Sequence, residues 1–202
     1  MIRCGILDAD KVGHRWLIDP ASVERRHSTE IGAGAPLRPE SAWAILLLQS
    51  GQAADWLTPW GLSRTRRRLR NARLKAFAPR LRRRAMTHRL RAHPGDLARL
   101  AREPAVAKGG VSAAVAYDVH LSAPGVLEAY LPARHFPRLS RKYLLEPASD
   151  PNLILHVVDG HWPFPRSCKV VPAPVVAFDL LEADDPRTRR AGKELLERLE
   201  PG

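Results

Sequence analysis

Asn152-Leu153-Ile154-Leu155-His156-Val157-Val158 is the stretch that decides the fold. Its apolarity is nearly continuous instead of alternating, which predicts a strand at the centre of a sheet, covered on both faces. Downstream, Trp162-Pro163-Phe164-Pro165 reads as a rigid loop, and Pro174 to Leu181 opens a helix on apolar residues. Asp184-Asp185-Pro186 is a cap-and-start signal for a final amphipathic helix from Arg187 to Leu199. Its Ala191, Leu195, Leu196 and Leu199 fall at helical spacing and face inward.

Upstream of the central strand, Tyr143 to Glu146 reads as a short strand, residues 134–142 as a basic helix, and Gly125 to Leu131 as a strand. Gly109 to Tyr117 is small and apolar, a buried helix entered over two glycines, and Pro94 to Arg102 is a short helix closed by Pro104. Met86 to Ala92 alternates. Met86, Leu90 and Ala92 form an inner face, while Thr87, Arg89, Arg91 and His93 form a basic outer one. Ser63 caps a helix from Arg64 to Lys75, with Pro59 and Gly61 breaking the chain before it. Before that break, Pro39-Glu40-Ser41 opens a helix whose apolar body runs from Ala42 to Leu48 and which Gly51 ends.

The class implied is α+β, in four parts. Residues 1–30 form a small hairpin and a helix, the part that by the resemblance given below is a partial winged-helix element, and 31–38 a linker rich in Gly, Ala and Pro. Residues 39–92 form a basic helical region ending in a strand, and 93–202 a C-terminal mixed α+β domain.

Charge is distributed unevenly. The chain holds 33 Lys and Arg against 21 Asp and Glu, a net +12. Thirteen of the cations lie between Arg64 and Arg91 with no acid among them; the flanking acids are Asp55 and Asp96. Without the block the chain is almost neutral, so its basic character is local. Thirteen uncompensated cations repel one another and call for an anionic partner or for acids brought in by the fold, such as Glu182, Glu194 or Glu197. The partner expected is double-stranded DNA, held by its phosphate backbone. The contacts expected are Arg64, Arg66, Arg67, Arg68, Arg70, Arg73, Arg82, Arg83, Arg84, Arg89 and Arg91. RNA is disfavoured because Phe77 is the block's sole aromatic, and a membrane surface because the block lacks a broad apolar face.

Two resemblances bear on this. Gly5, Lys11, Val12, Gly13, Arg15, Trp16, Ile18 and Val23 follow the order of a small hairpin, a Trp-containing wing strand and a helix started by Asp19-Pro20. That order resembles the second half of excisionase-like (MerR-type) winged helix-turn-helix domains. In that family the reading helix precedes the wing, so a chain starting at Met1 carries a remnant of the domain, or its true start lies upstream. From Ala92 to Leu199 several phrases resemble the C-terminal part of AbiEi-like antitoxins of type IV toxin–antitoxin systems. They are Gly110-Val111-Ser112-Ala113-Ala114, Glu128-Ala129-Tyr130-Leu131-Pro132, Asn152-Leu153-Ile154-Leu155, and Val175 to Leu181 followed by Asp185-Pro186-Arg187. The resemblance implies a transcriptional regulator that represses its own operon. Its other partners would be a nucleotidyltransferase-like toxin and a second copy of the chain.

Catalytic patterns are weak. His156, Asp159 and His161 could meet around a turn, though a strand histidine and a loop histidine explain them as well. Gly109-Gly110-Val111-Ser112 with Asp118 gives an alternative reading as a nucleotidyltransferase-related enzyme. There the second metal-binding acid is replaced by His120. No Walker loop, dinucleotide fingerprint or Gly-x-Ser-x-Gly occurs, and Cys4 and Cys168 form no metal pair. The expectation is a cytoplasmic DNA-binding protein, not an enzyme, with no cofactor, no metal and no membrane span. A protein-only interaction module is a third reading.

Overall fold

The computed structural model describes residues 9–12, 15–18, 35–121 and 123–200. It opens with strands β1 (Ala9–Val12) and β2 (Arg15–Ile18). Helices α1 (Pro39–Gln49) and α2 (Pro59–Asn71) follow, then a short α3 (Ala78–Leu81) between two 3-10 turns. Next come β3 (Met86–Arg91), α4 (Pro94–Leu100), β4 (Ala107–Lys108) and α5 (Gly110–Ala113). Strand β5 (Leu127–Pro132), α6 (Phe136–Lys142), β6 (Glu146–Pro147), β7 (Leu153–Val158), α7 (Ala173–Leu181) and α8 (Pro186–Leu199) follow in turn. The fold is α+β.

Strand β7 is the middle strand of a five-stranded mixed sheet ordered β4-β5-β7-β3-β6. It runs parallel to β5 and antiparallel to β3. The expectation of a central strand is met, and the sheet's two faces show why the strand is apolar on both sides. Leu153, Leu155 and Val157 join Leu127, Ala129, Leu131 and Leu90 in one core, closed by Leu97 and Leu100 of α4 and Leu139 of α6. Val158 and Tyr130 join the other core, with α1, α7 and α8.

Helices α1 and α7 lie in that second core. Ala42 to Leu47 and Pro174 to Leu180 are buried without interruption, as expected of helices apolar on every side. Helix α8 is amphipathic, with Leu195 and Leu196 buried and Ala191 and Leu199 partly so. Asp185 caps it, Oδ2 accepting from the Thr188 N–H at 2.8 Å. Gly192 lets α8 lie close to α7: a Cβ there would stand 2.7 Å from the Leu181 nitrogen.

Several expectations need correction. Helix α2 starts at Pro59, a turn before Ser63. Thr58 caps it by accepting from the Gly61 N–H at 3.2 Å, and Pro59 suits a first-turn position because its missing N–H is not needed there. The strand expected over Tyr143 to Glu146 is reduced to Glu146–Pro147. Leu144 has φ 47, and the Leu145 N–H returns to the Ser140 carbonyl, so the chain is still leaving α6. The buried helix expected from Gly109 gives way after Ala113 to a 3-10 turn on which Val115 is 73% exposed.

The division after Ala92 does not separate two folding units. Strand β3 lies inside the sheet between β7 and β6, and Leu37, Trp43, Leu74, Phe77 and Leu81 share a core with Val175, Phe178 and Leu196. At the N-terminal end, β1 and β2 pair antiparallel with Lys11 opposite Trp16 and Val12 opposite Arg15. Gly5, Gly13, Val23, the helix expected from Asp19-Pro20, and Cys4 lie outside the described residues. Among the described residues, no helix is long and apolar enough to cross a membrane.

Candidate nucleic-acid interface and a buried charge network

The basic block does not stay together in space. Its first part lies on α2, which buries only Thr65 and leaves Arg64, Arg66, Arg67 and Arg70 exposed, with Arg68 half-buried. Leu69 is the half-buried apolar residue that packs α2 against the core holding α1, and Leu62 is half-buried too. Arg73 and Lys75 continue the exposed cations past its end. Burial, together with the charges of Arg64, Arg80 and Arg67, holds Arg68 below the usual arginine pKa. The repulsion anticipated from the sequence is thus concentrated here. On the inner flank of α2, Arg66 and Arg70 border a groove of about 540 Å³ together with Leu62, Leu69, Gln52 and Asp55.

In the second part of the block one arginine turns inward. Arg84 is 3% exposed. Its Nη2 donates to Asp179 Oδ1 at 2.7 Å and its Nη1 to Glu182 Oε1 at 2.8 Å. Burial would lower its pKa, but Glu182, Tyr130 and Asp179 outweigh that and raise it well above the ordinary arginine value. Arg84 is therefore withdrawn from the expected DNA contacts: its guanidinium is enclosed and already paired. Arg89 pairs with Asp184 at 2.9 Å and Arg91 with Asp150 at 3.0 Å. The basic outer face expected of β3 is thus partly matched by acids from two loops. Met86, expected on the inner face, is 66% exposed. Arg82 is half-buried and Arg83 exposed.

Sheet register explains the inward site. Alternation along β5 and β7 puts Glu128, Tyr130 and His156 on the face toward α7. Thr87 of β3 and Tyr130 of β5 are the register partners of His156 on either side. The Tyr130 and His156 rings stack at 4.6 Å. His156 bonds through Nδ1 to Thr87 Oγ1 at 3.0 Å and through Nε2 to Glu128 Oε1 at 2.8 Å. Glu128 Oε2 accepts from the Val111 N–H at 3.0 Å, and Asp179 Oδ2 from the Gly110 N–H at 3.0 Å. The Tyr130 hydroxyl donates to Asp179 Oδ1. Burial raises the pKa of Tyr130 well above the usual phenol range and pushes Asp179 up as well.

Glu128, His156 and Asp179 each offer a ligand atom within 4.8 Å of the others, so the cluster has the donor set of a metal site. Its hydrogen bonding argues for a different role. Each of the three already holds partners, no buried side-chain polar atom among the described residues lacks one, and the cation facing Asp179 is Arg84. The chemistry is that of an internal ion-pair network that locks α5, α7 and the sheet together.

The same bonds bear on the nucleotidyltransferase reading. The N–H groups of Gly110 and Val111, which a phosphate would need, are taken by Asp179 and Glu128. Ser112 Oγ accepts from the Glu128 N–H at 2.9 Å. Asp118 and His120 are exposed, Asp118 at φ 55 capping the 3-10 turn. His156, Asp159 and His161 do not assemble either. The His161 ring lies against Trp56, tilted by 34° with centroids 4.7 Å apart, and Asp159 accepts from the Gly160 N–H.

In sequence His156 stands out only with Asp159 and His161, and its true partners do not, although each of the three is a single polar residue inside an apolar run: Glu128 in β5, His156 in β7 and Asp179 in α7. Trp60 was missed because Pro59 and Gly61 read as a break. It is 71% exposed on the first turn of α2.

Compared with protein-family models, curated proteins and solved structures, the chain matches none.

Proposed function

We propose that the protein is a DNA-binding regulator that holds the phosphate backbone through the cationic surface of α2 and its continuation. The observation carrying this reading is the exposed set Arg64, Arg66, Arg67 and Arg70 on a helix with no acidic residue. Arg73 and Lys75 extend it, while Arg84 serves the interior. Arginine suits phosphate because its planar fork donates two parallel hydrogen bonds. In this reading affinity comes from counterion release and is steeply salt-dependent and weakly sequence-selective. An autorepressing antitoxin with a nucleotidyltransferase-like toxin as partner is the specific form that the resemblances imply.

The test is binding of a DNA duplex by wild type and by a variant with Arg66, Arg67 and Arg70 all changed to Ala. Those side chains lie on the surface, so the fold should persist. Affinity should fall, and the slope of log K against log salt should flatten by about 2–3, since each phosphate left without its arginine removes roughly 0.9. Unchanged retention on DNA would sink the proposal.

A further inference from the structure

Trp60 and Arg64 form a unit on the outside of α2. The Arg64 guanidinium carbon lies 5.0 Å from the centroid of the Trp60 ring, and the indole is 71% exposed. Helical spacing puts Trp60, Arg64, Arg67 and Asn71 on one stripe, at i, i+4, i+7 and i+11, opposite the half-buried Leu62 and Leu69. The stripe therefore combines a large aromatic ring in solvent, a cation that orients it, and a second exposed cation one turn further on.

Such a ring is an unfavourable surface for water, and an isolated cation–π contact offsets only part of that cost. A protein partner or a lipid surface would want a wider apolar patch, but the residues beside Trp60 on this face are Ser63, Arg64 and Arg67, all exposed and polar. The combination suits an unpaired nucleotide: the base stacks on the indole, and the flanking phosphates meet the guanidinium groups. An intact duplex keeps its base faces inside the stack, where the indole cannot reach them.

We infer that Trp60, with Arg64 and Arg67, is a stacking site for an unpaired nucleobase, and that the protein prefers single-stranded or frayed DNA to an intact duplex. This rests on the proposed binding of the phosphate backbone by α2 and adds a choice of strand state to it.

The test compares wild type, Trp60→Ala and Trp60→Phe by fluorescence anisotropy. The probes are an oligothymidylate, a blunt duplex of equal length, and the same duplex with a single-stranded overhang. Wild type should bind the oligothymidylate and the overhang more tightly than the blunt duplex. Trp60→Ala should lose roughly five-fold or more on those two probes and less than about two-fold on the blunt duplex, with an unchanged salt slope. Trp60→Phe should keep most of the affinity. Equal affinity of wild type for all three probes, or equal loss by Trp60→Ala on all three, would overturn the inference while leaving backbone binding standing. Failure of wild type to bind any probe would overturn both. Trp60-dependent binding to phosphatidylserine vesicles, with no effect of Trp60 on any oligonucleotide, would replace the nucleobase with a lipid surface.

Discussion

Arg84 Nη2 donates to Asp179 Oδ1 across 2.7 Å, with side-chain exposures of only 2% and 0%. This contact divides the basic block into two kinds of arginine. Those of α2 other than the half-buried Arg68 face solvent, while Arg84 joins the sheet side of the core to α7 and takes Glu182 as a second partner. The ion pair has company that makes it workable in the interior. Tyr130 and the Gly110 N–H also donate to Asp179, so the buried carboxylate is well supplied with donors.

Arg84→Ala should therefore act on stability. It would leave Asp179 buried without its cation and reopen space around Tyr130, at a cost of about 3–5 kcal/mol. Arg67→Ala, at an exposed site on α2, should change stability by no more than about 0.5 kcal/mol. Urea denaturation of the two variants measures the difference. If Arg84→Ala were as mild as Arg67→Ala, the network would not be holding the fold.

The contrast marks what was legible in the sequence. The apolarity from Leu153 to Val158, broken only by His156, gave away the central strand, because a strand covered on both faces is built mainly of apolar residues. The Asp185-Pro186 signal placed the start of α8, because capping is local chemistry. The pairing of Arg84 with Asp179 was not legible. The two residues are 95 positions apart, and nothing in the chemistry of Arg82-Arg83-Arg84 tells which arginine turns inward. The start of α2 was misjudged for a local reason: Pro59 and Gly61 break a helix interior but are well tolerated in a first turn capped by Thr58. That misjudgement also hid Trp60.

His156 should give the fold a pH dependence at neutral to alkaline values. Burial opposes its charge, but the hydrogen bond to Glu128 and the charges of Asp179 and Glu128 outweigh this and raise its pKa above the ordinary 6.5. The folded state thus holds the proton more tightly than the unfolded chain. The resulting stabilisation is complete below the unfolded value and is lost as pH rises through the folded one. His156→Asn should remove that decline. Denaturation midpoints followed from neutral to alkaline pH test it, and parallel curves for the two proteins would contradict it. His88, which burial holds below its ordinary value, contributes with the opposite sign, equally in both proteins.

At the acid end the group to watch is Glu103. A hydrogen bond from Lys142 is the largest influence; burial opposes it, and Tyr143 and Arg138 add further donors, holding the carboxyl at about 2. Its folded value is depressed, so its stabilisation is present above the unfolded value of 4.5 and disappears as pH falls toward 2. Lys142 and Arg138 are half-exposed, so solvent weakens the effect. Glu103→Gln should cost about 1 kcal/mol at neutral pH and almost nothing in strong acid. The same difference at both pH values would mean that packing, not charge, is what the substitution removes.

Gly110 and Gly125 separate backbone strain from collision. Both have positive φ, 42 and 77, so a side chain at either position is strained by roughly 1 kcal/mol or somewhat more. At Gly125 a Cβ meets nothing within 4 Å, whereas at Gly110 it would fall 1.8 Å from Glu128 Oε2. Glu128 cannot easily retreat, since Oε1 is bonded to His156 and Oε2 to the Val111 N–H. Gly125→Ala should therefore lose about 1 kcal/mol. Gly110→Ala should lose at least about 3 kcal/mol, because it must also break the Glu128–His156 contact inside the core. The check is chemical denaturation of both variants, with the His156 ring signals followed by NMR. A Gly110→Ala protein no less stable than Gly125→Ala, with the His156 signals unmoved, would mean that the carboxylate yields freely and that the network is soft where α5 enters it.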